Sequence, residues 1–234
     1  IHSAVLGDSK NHFLQCQGHC KKCFFESPST AEWIIRPELS KAHLEIQDRD
    51  LDYERKIQLQ PHSVYLSFTS DVKVGVTRKS QVPTRWIDQG AIEAIEIAEL
   101  PNRYLAGICE IELKKYFKDK TNWRTMLTTN KSNVDLSIKK NECYSILPEE
   151  AKNYFLSKSK TLKINYPISD EIITPKSLNI KKTKNFSGKL IGIKGQYLIF
   201  EDSTVFNVRS NEGLVVGIKI AVSYTHLRAH ETEY

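Results

Sequence analysis

The sequence predicts an α+β protein, in which a small mixed sheet flanked by helices is followed by a small antiparallel β module. Three observations carry this prediction. Two β-rich segments, 62–69 and 72–77, lie on either side of a Ser-Asp dipeptide, which is typical of a hairpin. Apolar residues recur at helical spacing over 103–118. Several short β-rich segments, punctuated by glycine, follow between 162 and 220.

The composition bounds the class of protein. The chain has 234 residues, of which 40% are hydrophobic and 26% charged, as in a globular protein with a proper core. No apolar stretch is long enough to span a bilayer and no secretion signal is visible, so we expect no membrane contact and a cytoplasmic location. The five cysteines are an odd number, which argues against a disulfide framework.

Changes in composition divide the chain into four parts. Residues 1–60 form a cysteine-bearing N-terminal segment, 61–158 the central α+β domain and 159–221 the β module. The chain begins with Ile1 rather than methionine, so we expect it to be truncated at this end. Residues 222–234 resemble the translation of a sequencing adapter, and we expect no function from them.

Turn and capping residues set the order of elements in the central domain. After the hairpin, a helix is predicted over 83–89, because proline suits its first turn and Gly90 is a natural residue to end it. A third strand is predicted over 91–100. The helix over 103–118 follows a Pro-Asn break, and a further helix is predicted over 123–127.

The remaining elements are shorter. Short helices are predicted around 31–35 and from Pro37, and the charged segment 48–56 is predicted to be exposed. A helix is predicted over 148–157, because a proline and two glutamates occupy its first turn. The β module is predicted to contain five strands, namely 162–166, 188–193, 196–200, 204–208 and 214–220.

Basic residues are clustered in this chain, whose net charge is +6. The first cluster contains Lys114, Lys115, Lys118, Lys120, Arg124, Lys131, Lys139 and Lys140. The second contains Lys176, Lys181, Lys182, Lys184, Lys189 and Lys194. Two interpretations remain open, a solvated basic face and a surface that binds phosphate groups.

Three side chains of the central domain have the chemistry needed to cut a phosphodiester. Tyr65 can exchange a proton, Arg85 offers a bidentate fork for phosphate oxygens, and Glu110 is a carboxylate suited to Mg²⁺. Each has a simpler interpretation. Tyr65 could be a packed strand aromatic, Arg85 could stack on Trp86 at the surface, and Glu110 could pair with Lys114 one turn later.

Residues 62–130 resemble the GIY-YIG nuclease superfamily in the order and type of their elements. On that resemblance, Tyr65 takes the place of the first motif tyrosine and Gly75 that of the second motif glycine. Arg85 takes the place of the helix arginine and Glu110 that of the metal-binding glutamate. The resemblance therefore implies a Mg²⁺-dependent endonuclease-like site.

The chain departs from that family's pattern at two positions. Ser63 stands where the first motif has glycine, and Lys73 where the second motif has tyrosine. Asn122 is the candidate for the family's late asparagine. DNA or RNA is the implied partner, and the residues expected to contact it are Lys73, Arg78, Lys114, Lys118, Lys120 and Arg124.

Longer strings resemble a bacterial family known as domain of unknown function 2797. These strings are KVGVTR at 73–78, QVPTRWIDQGA at 81–91, DKTNWR at 119–124 and GIKGQYLIF at 192–200. That family typically has paired cysteines before its central domain. Here Cys20 and Cys23 form a CxxC pair suited to tetrahedral Zn²⁺, which Cys16, His19 or His2 could complete.

Three functions follow as hypotheses: a metal-dependent endonuclease, a nucleic-acid-binding protein without catalysis, and a protein-interaction module. They differ in the geometry that they require. The first needs Tyr65, Lys73, Arg85 and Glu110 to line one accessible cleft beside the lysines. If the protein is an interaction module, we expect these side chains not to converge on one surface.

Overall fold

The computed structural model describes residues 19–117, 122–169, 172–180, 182–183, 185–212 and 214–220. It confirms an α+β fold built on two four-stranded sheets. Within the described ranges, no helix is long and apolar enough to cross a membrane. The predicted adapter residues, 222–234, lie outside the described residues.

The central sheet contains the predicted hairpin. Its strands are β1 (His62–Phe68), β2 (Val72–Arg78), β3 (Glu93–Leu100) and β4 (Leu162–Lys163), in the order β2-β1-β3-β4. All three pairings are antiparallel, so the prediction of a mixed sheet is wrong here. The short strand β4, which was assigned to the β module from the sequence, pairs with β3 instead.

Seven α-helices surround the sheets within the described residues. They are α1 (Lys21–Glu26), α2 (Leu51–Gln58), α3 (Thr84–Asp88), α4 (Arg103–Lys114), α5 (Trp123–Thr128), α6 (Leu136–Cys143) and α7 (Glu149–Lys152). Asn102 caps α4, since its side chain accepts a hydrogen bond from the Leu105 backbone N–H. Helices α4 and α7 are shorter than predicted, and α6 has no counterpart in the sequence prediction.

The main core lies on one face of the central sheet. Val64 and Leu66 of β1 pack there with Ile95 and Ile97 of β3, and Leu113 of α4 completes the contact from the helix layer. Side chains alternate along a strand, so Tyr65 points to the opposite face. There it packs in a separate cluster with Trp86, Ala91 and Ala94.

The second sheet forms the β module. Its strands are β5 (Lys176–Ser177), β6 (Leu190–Lys194), β7 (Tyr197–Phe200) and β8 (Thr204–Asn207), in the order β5-β8-β7-β6. The pairing of β5 with β8 is parallel, so the module is mixed rather than antiparallel as predicted. The segment 214–220, predicted as a strand, is irregular. Met126 and Leu127 of α5 pack into the core of this module.

The segment predicted to be exposed at 48–56 is largely helix α2, and part of it is buried. Glu54 and Gln58 are each 1% exposed. The Glu54 carboxylate accepts hydrogen bonds from the backbone N–H groups of Asp48, Arg49 and Asp50. The buried face of this helix is polar, which is why a search for apolar periodicity misses it.

Candidate functional site

A cleft of about 590 Å³ follows the edge strand β2. Five consecutive residues of that strand, 74–78, line it. Tyr65, Arg85 and Glu110 line the same cleft, although they come from β1, α3 and α4. A second cavity of about 370 Å³ adjoins it and is lined in part by Lys73. The convergence required of a phosphodiester site is therefore present for three of the four named side chains.

The Tyr65 side chain occupies its position because the facing residue is glycine. Tyr65 pairs directly with Gly75 across the hairpin. A Cβ atom at Gly75 would lie 2.7 Å from the Tyr65 hydroxyl oxygen and 2.8 Å from Cζ, closer than packed atoms approach. The glycine thus lets the phenol lie across β2 and reach the wall of the cleft.

The Tyr65 hydroxyl is buried and holds its proton. It donates a hydrogen bond to Gln89 Oε1 at 2.8 Å, and the residue is 1% exposed. Burial raises the pKa of Tyr65 to about 12, which the charge of nearby Arg85 opposes and that of Glu110 reinforces. At neutral pH this group is a hydrogen-bond donor, not a base.

Arg85 lies where the cleft and the second cavity meet, since it lines both. Its neighbour Trp86 is buried at 4% exposure and packs against the Tyr65 ring with centroids 5.7 Å apart. The interpretation of Arg85 and Trp86 as a surface pair is therefore wrong. Trp86 anchors α3, the helix that carries Arg85.

Glu110 is 9% exposed, and its nearest described cation is Lys114, whose Nζ lies 3.5 Å from Oε1. Burial raises the pKa of Glu110, and the charges of Lys114 and Arg103 oppose that rise. Arg103 also lines the cleft but donates to the backbone carbonyls of Trp33 and Ile34. Burial lowers the pKa of Arg103 to about 10.

The predicted nucleic-acid contacts are divided among several places. Arg78 and Lys114 line the cleft, and Lys73 lines the second cavity. Arg124 lies over the Trp123 ring, with its guanidinium carbon 4.3 Å from the ring centroid. Lys118 and Lys120 lie outside the described residues.

Two members of the basic clusters are not on the surface. Lys140 and Lys194 are 2% and 1% exposed, and their Nζ atoms donate to the carbonyls of Ser157 and Thr129. Burial lowers the pKa of Lys194 to about 8. The interpretation of these two lysines as part of a solvated or phosphate-binding face is wrong.

Sequence reasoning missed several polar residues that line the cleft. Among them are Asp88, Gln89, Arg103 and Arg209. Asp88 and Gln89 follow Arg85 on or just after α3, so proximity in the sequence could have indicated them. Arg209 comes from a 3₁₀ turn at the end of the β module, and no local signal predicts that it lies near β2.

Two carboxylates, Asp88 and Glu110, line the cleft. Mg²⁺ is commonly held by one or two carboxylates together with water and substrate phosphates. Asp88 and Glu110 supply that number, although the described residues contain no group of three metal-ligand side chains. Zn²⁺ has less support, because Cys20 and Cys23 supply only half of a tetrahedral set. Of the other suggested ligands, His19 is described but forms no group of three metal-ligand side chains with these cysteines, and His2 and Cys16 lie outside the described residues.

Comparison with known proteins bears on the family but not on the chemistry. No curated protein and no solved structure matches the chain. A family model described as a protein of unknown function, DUF2797, matches residues 6–216. That range includes the central sheet, the cleft and the β module described above. The chain therefore belongs to the DUF2797 family.

Proposed function

We propose that the cleft along β2 binds the phosphate backbone of DNA or RNA. The observation that carries this proposal is the convergence of five cationic side chains on one cleft, namely Arg78, Arg85, Arg103, Lys114 and Arg209. Arg103 is held by two carbonyls and Lys114 pairs with Glu110, which leaves Arg78, Arg85 and Arg209 for a ligand. Guanidinium groups suit phosphate because they bind two oxygens at once.

Salt titration of binding tests this proposal. A fluorescent oligonucleotide should bind the wild-type protein with an affinity that falls steeply with salt, about 0.7–0.9 log units per phosphate contact for each log unit of salt. Arg85→Gln should weaken binding about tenfold and lower the slope by about 1. Lys158→Gln is the matched control, because Lys158 is exposed and lines neither cavity. Binding that is absent or independent of salt would overturn the proposal.

A second candidate function is metal-dependent hydrolysis of the bound phosphodiester. The GIY-YIG resemblance suggests it, and the fact that Tyr65, Arg85 and Glu110 line the same cleft favours it. When bound, Mg²⁺ would polarise a phosphate oxygen. Arg85 would hold the phosphate, and Glu110 with Asp88 would hold the ion. Tyr65, whose pKa is raised to about 12, would keep its proton and hold Gln89, which also lines the cleft.

Cleavage assays separate the two candidates. Wild-type protein with Mg²⁺ should nick plasmid or structured nucleic acid if the second candidate holds, and Glu110→Gln should abolish nicking. The variant should still bind nucleic acid in EDTA, since its cations are intact. Cleavage that persists in Glu110→Gln would exclude hydrolysis at this site. Binding by the wild type without cleavage would support phosphate binding and exclude hydrolysis.

A further inference from the structure

The second cavity is lined by two aromatic rings that lie against each other. Trp123 of α5 and Tyr197 of β7 both line it. Their rings are nearly parallel, with centroids 5.7 Å apart and an interplanar angle of 12°. The Arg124 guanidinium also lies over the Trp123 ring, at 4.3 Å. Two planar groups therefore lie against this indole, and a ligand ring that stacks on it would take the place of the exposed Arg124 guanidinium.

This aromatic cavity opens beside the proposed phosphate site. Arg85, Gln89 and Arg209 line both the cavity and the cleft. A ligand whose phosphate lies at Arg85 would therefore have its next group within reach of Trp123. Lys73 of β2 and Gln196 of the β6–β7 turn also line the cavity, so its wall includes polar side chains beside the rings.

We propose that this cavity takes an unpaired nucleobase, which makes single-stranded nucleic acid the ligand class of the protein. The inference rests on the proposed phosphate site, since the base would be attached to a backbone held at Arg85. Aromatic side chains and arginine planes stack bases of any sequence, because every base has a π face. The proposal therefore predicts a preference for unpaired strands, not for a particular sequence.

The size and composition of the cavity support one base rather than a duplex. Its volume of about 370 Å³ lies at the small end of ligand pockets. A paired base is stacked on its neighbours and cannot present its face to Trp123 unless it is first extruded, which costs energy. Binding of a strand that is already unpaired avoids that cost.

Anisotropy titrations with four probes of one length test the inference. The probes are a single-stranded DNA, a single-stranded RNA of the same sequence, an abasic strand that keeps the phosphates, and a blunt DNA duplex. Wild-type protein should bind the single strands at least about fivefold more tightly than the abasic strand or the duplex. The DNA and RNA arms identify which nucleic acid is preferred.

Three variants assign the preference to the aromatic cavity. Trp123→Leu should bring single-strand affinity down to that for the abasic strand and leave the salt slope unchanged. Trp123→Phe should retain most of the preference because a ring remains. Tyr116→Ala is the matched control, since Tyr116 is a 68% exposed aromatic that lines neither cavity.

Each outcome separates the base site from the phosphate site. Equal, salt-dependent binding of all four probes by the wild type would overturn the base site and leave the phosphate site standing. This comparison uses the wild type alone, so it holds even if Trp123→Leu does not fold. A preference that survives in a folded Trp123→Leu protein would also overturn the assignment. Binding of no probe would overturn the phosphate proposal and, with it, this one.

Discussion

Two buried glutamates, Glu54 and Glu110, have opposite surroundings. Glu54 is 1% exposed, and its carboxylate accepts three backbone N–H groups at 2.7 to 3.0 Å. Glu110 is 9% exposed, faces a cleft, and has Lys114 at 3.5 Å as its ion-pair partner. The hydrogen bonds of the Glu54 carboxylate hold the loop before α2 in place. The Glu110 carboxylate has lost most of its hydration, and among the described residues only the Lys114 ammonium pairs with it.

This difference teaches that burial alone does not identify a functional carboxylate. A buried charge is costly unless hydrogen bonds replace its water. Glu54 has those hydrogen bonds, so its burial is explained by the fold. Glu110 has an ammonium group beside it, while burial still raises its pKa. A ligand cation or a substrate donor could provide what the fold does not, which is why Glu110 belongs to the proposed site.

The largest expected effect is the loss of stability when Glu54 is truncated. Glu54→Ala should lower the free energy of unfolding by about 3 kcal/mol, because three partly buried N–H groups lose a charged acceptor. Glu110→Ala should change it by no more than about 1 kcal/mol. Urea unfolding measures both, with the exposed Asp52→Ala on α2 as a control that should unfold like the wild type. Equal losses of unfolding free energy in the two variants would contradict the difference between these glutamates.

A smaller effect is expected in the wall of the cleft. Gly75→Ala should cost about 2 kcal/mol, because the new Cβ would overlap the Tyr65 ring. The Tyr65→Leu, Gly75→Ala double variant should lose less stability than the sum of the single variants, because the shortened side chain leaves room. Thermal unfolding of the four proteins measures the coupling. Additive losses would show that the Tyr65 ring does not require the glycine.

The smallest effect concerns the pH dependence contributed by Glu110. Its pKa in the folded protein lies above the ordinary 4.5, so the folded state binds more protons than the unfolded state between the two values. This contribution to stability therefore falls as pH rises through that window. Glu110→Gln lacks it, so the variant should gain stability relative to the wild type as pH rises above 4.5. A constant difference between the two proteins would contradict the raised pKa.

Local patterns in the sequence were sufficient for the central sheet but not for its surroundings. The hairpin and β3 were predictable because β-rich segments, Gly90 and Pro101 mark where each element ends. Helix α2 was missed because its buried residues are polar and are stabilised by backbone contacts outside the helix. Strand β4 was assigned to the wrong sheet because two residues contain no information about their partner.

The candidate site was predictable only where its residues lie close together in the sequence or resemble a known motif. Tyr65, Arg85 and Glu110 were selected in this way, and they line one cleft. Arg209 approaches from the other sheet, and its place depends on how the β module packs against α5 and the end of α3. Such long-range packing has no local signature, which explains why only three of the five cationic side chains of the cleft were predicted.

Backbone hydrogen exchange with and without a single-stranded oligonucleotide tests the central claim most directly. The claim is that nucleic acid lies along β2 and the end of α3. At saturating oligonucleotide, amide exchange should slow in 73–78 and 84–90, and these changes should weaken in Arg85→Gln. Protection confined to the lysine-rich segment 176–194, or an unchanged pattern along β2 in the bound state, would contradict it.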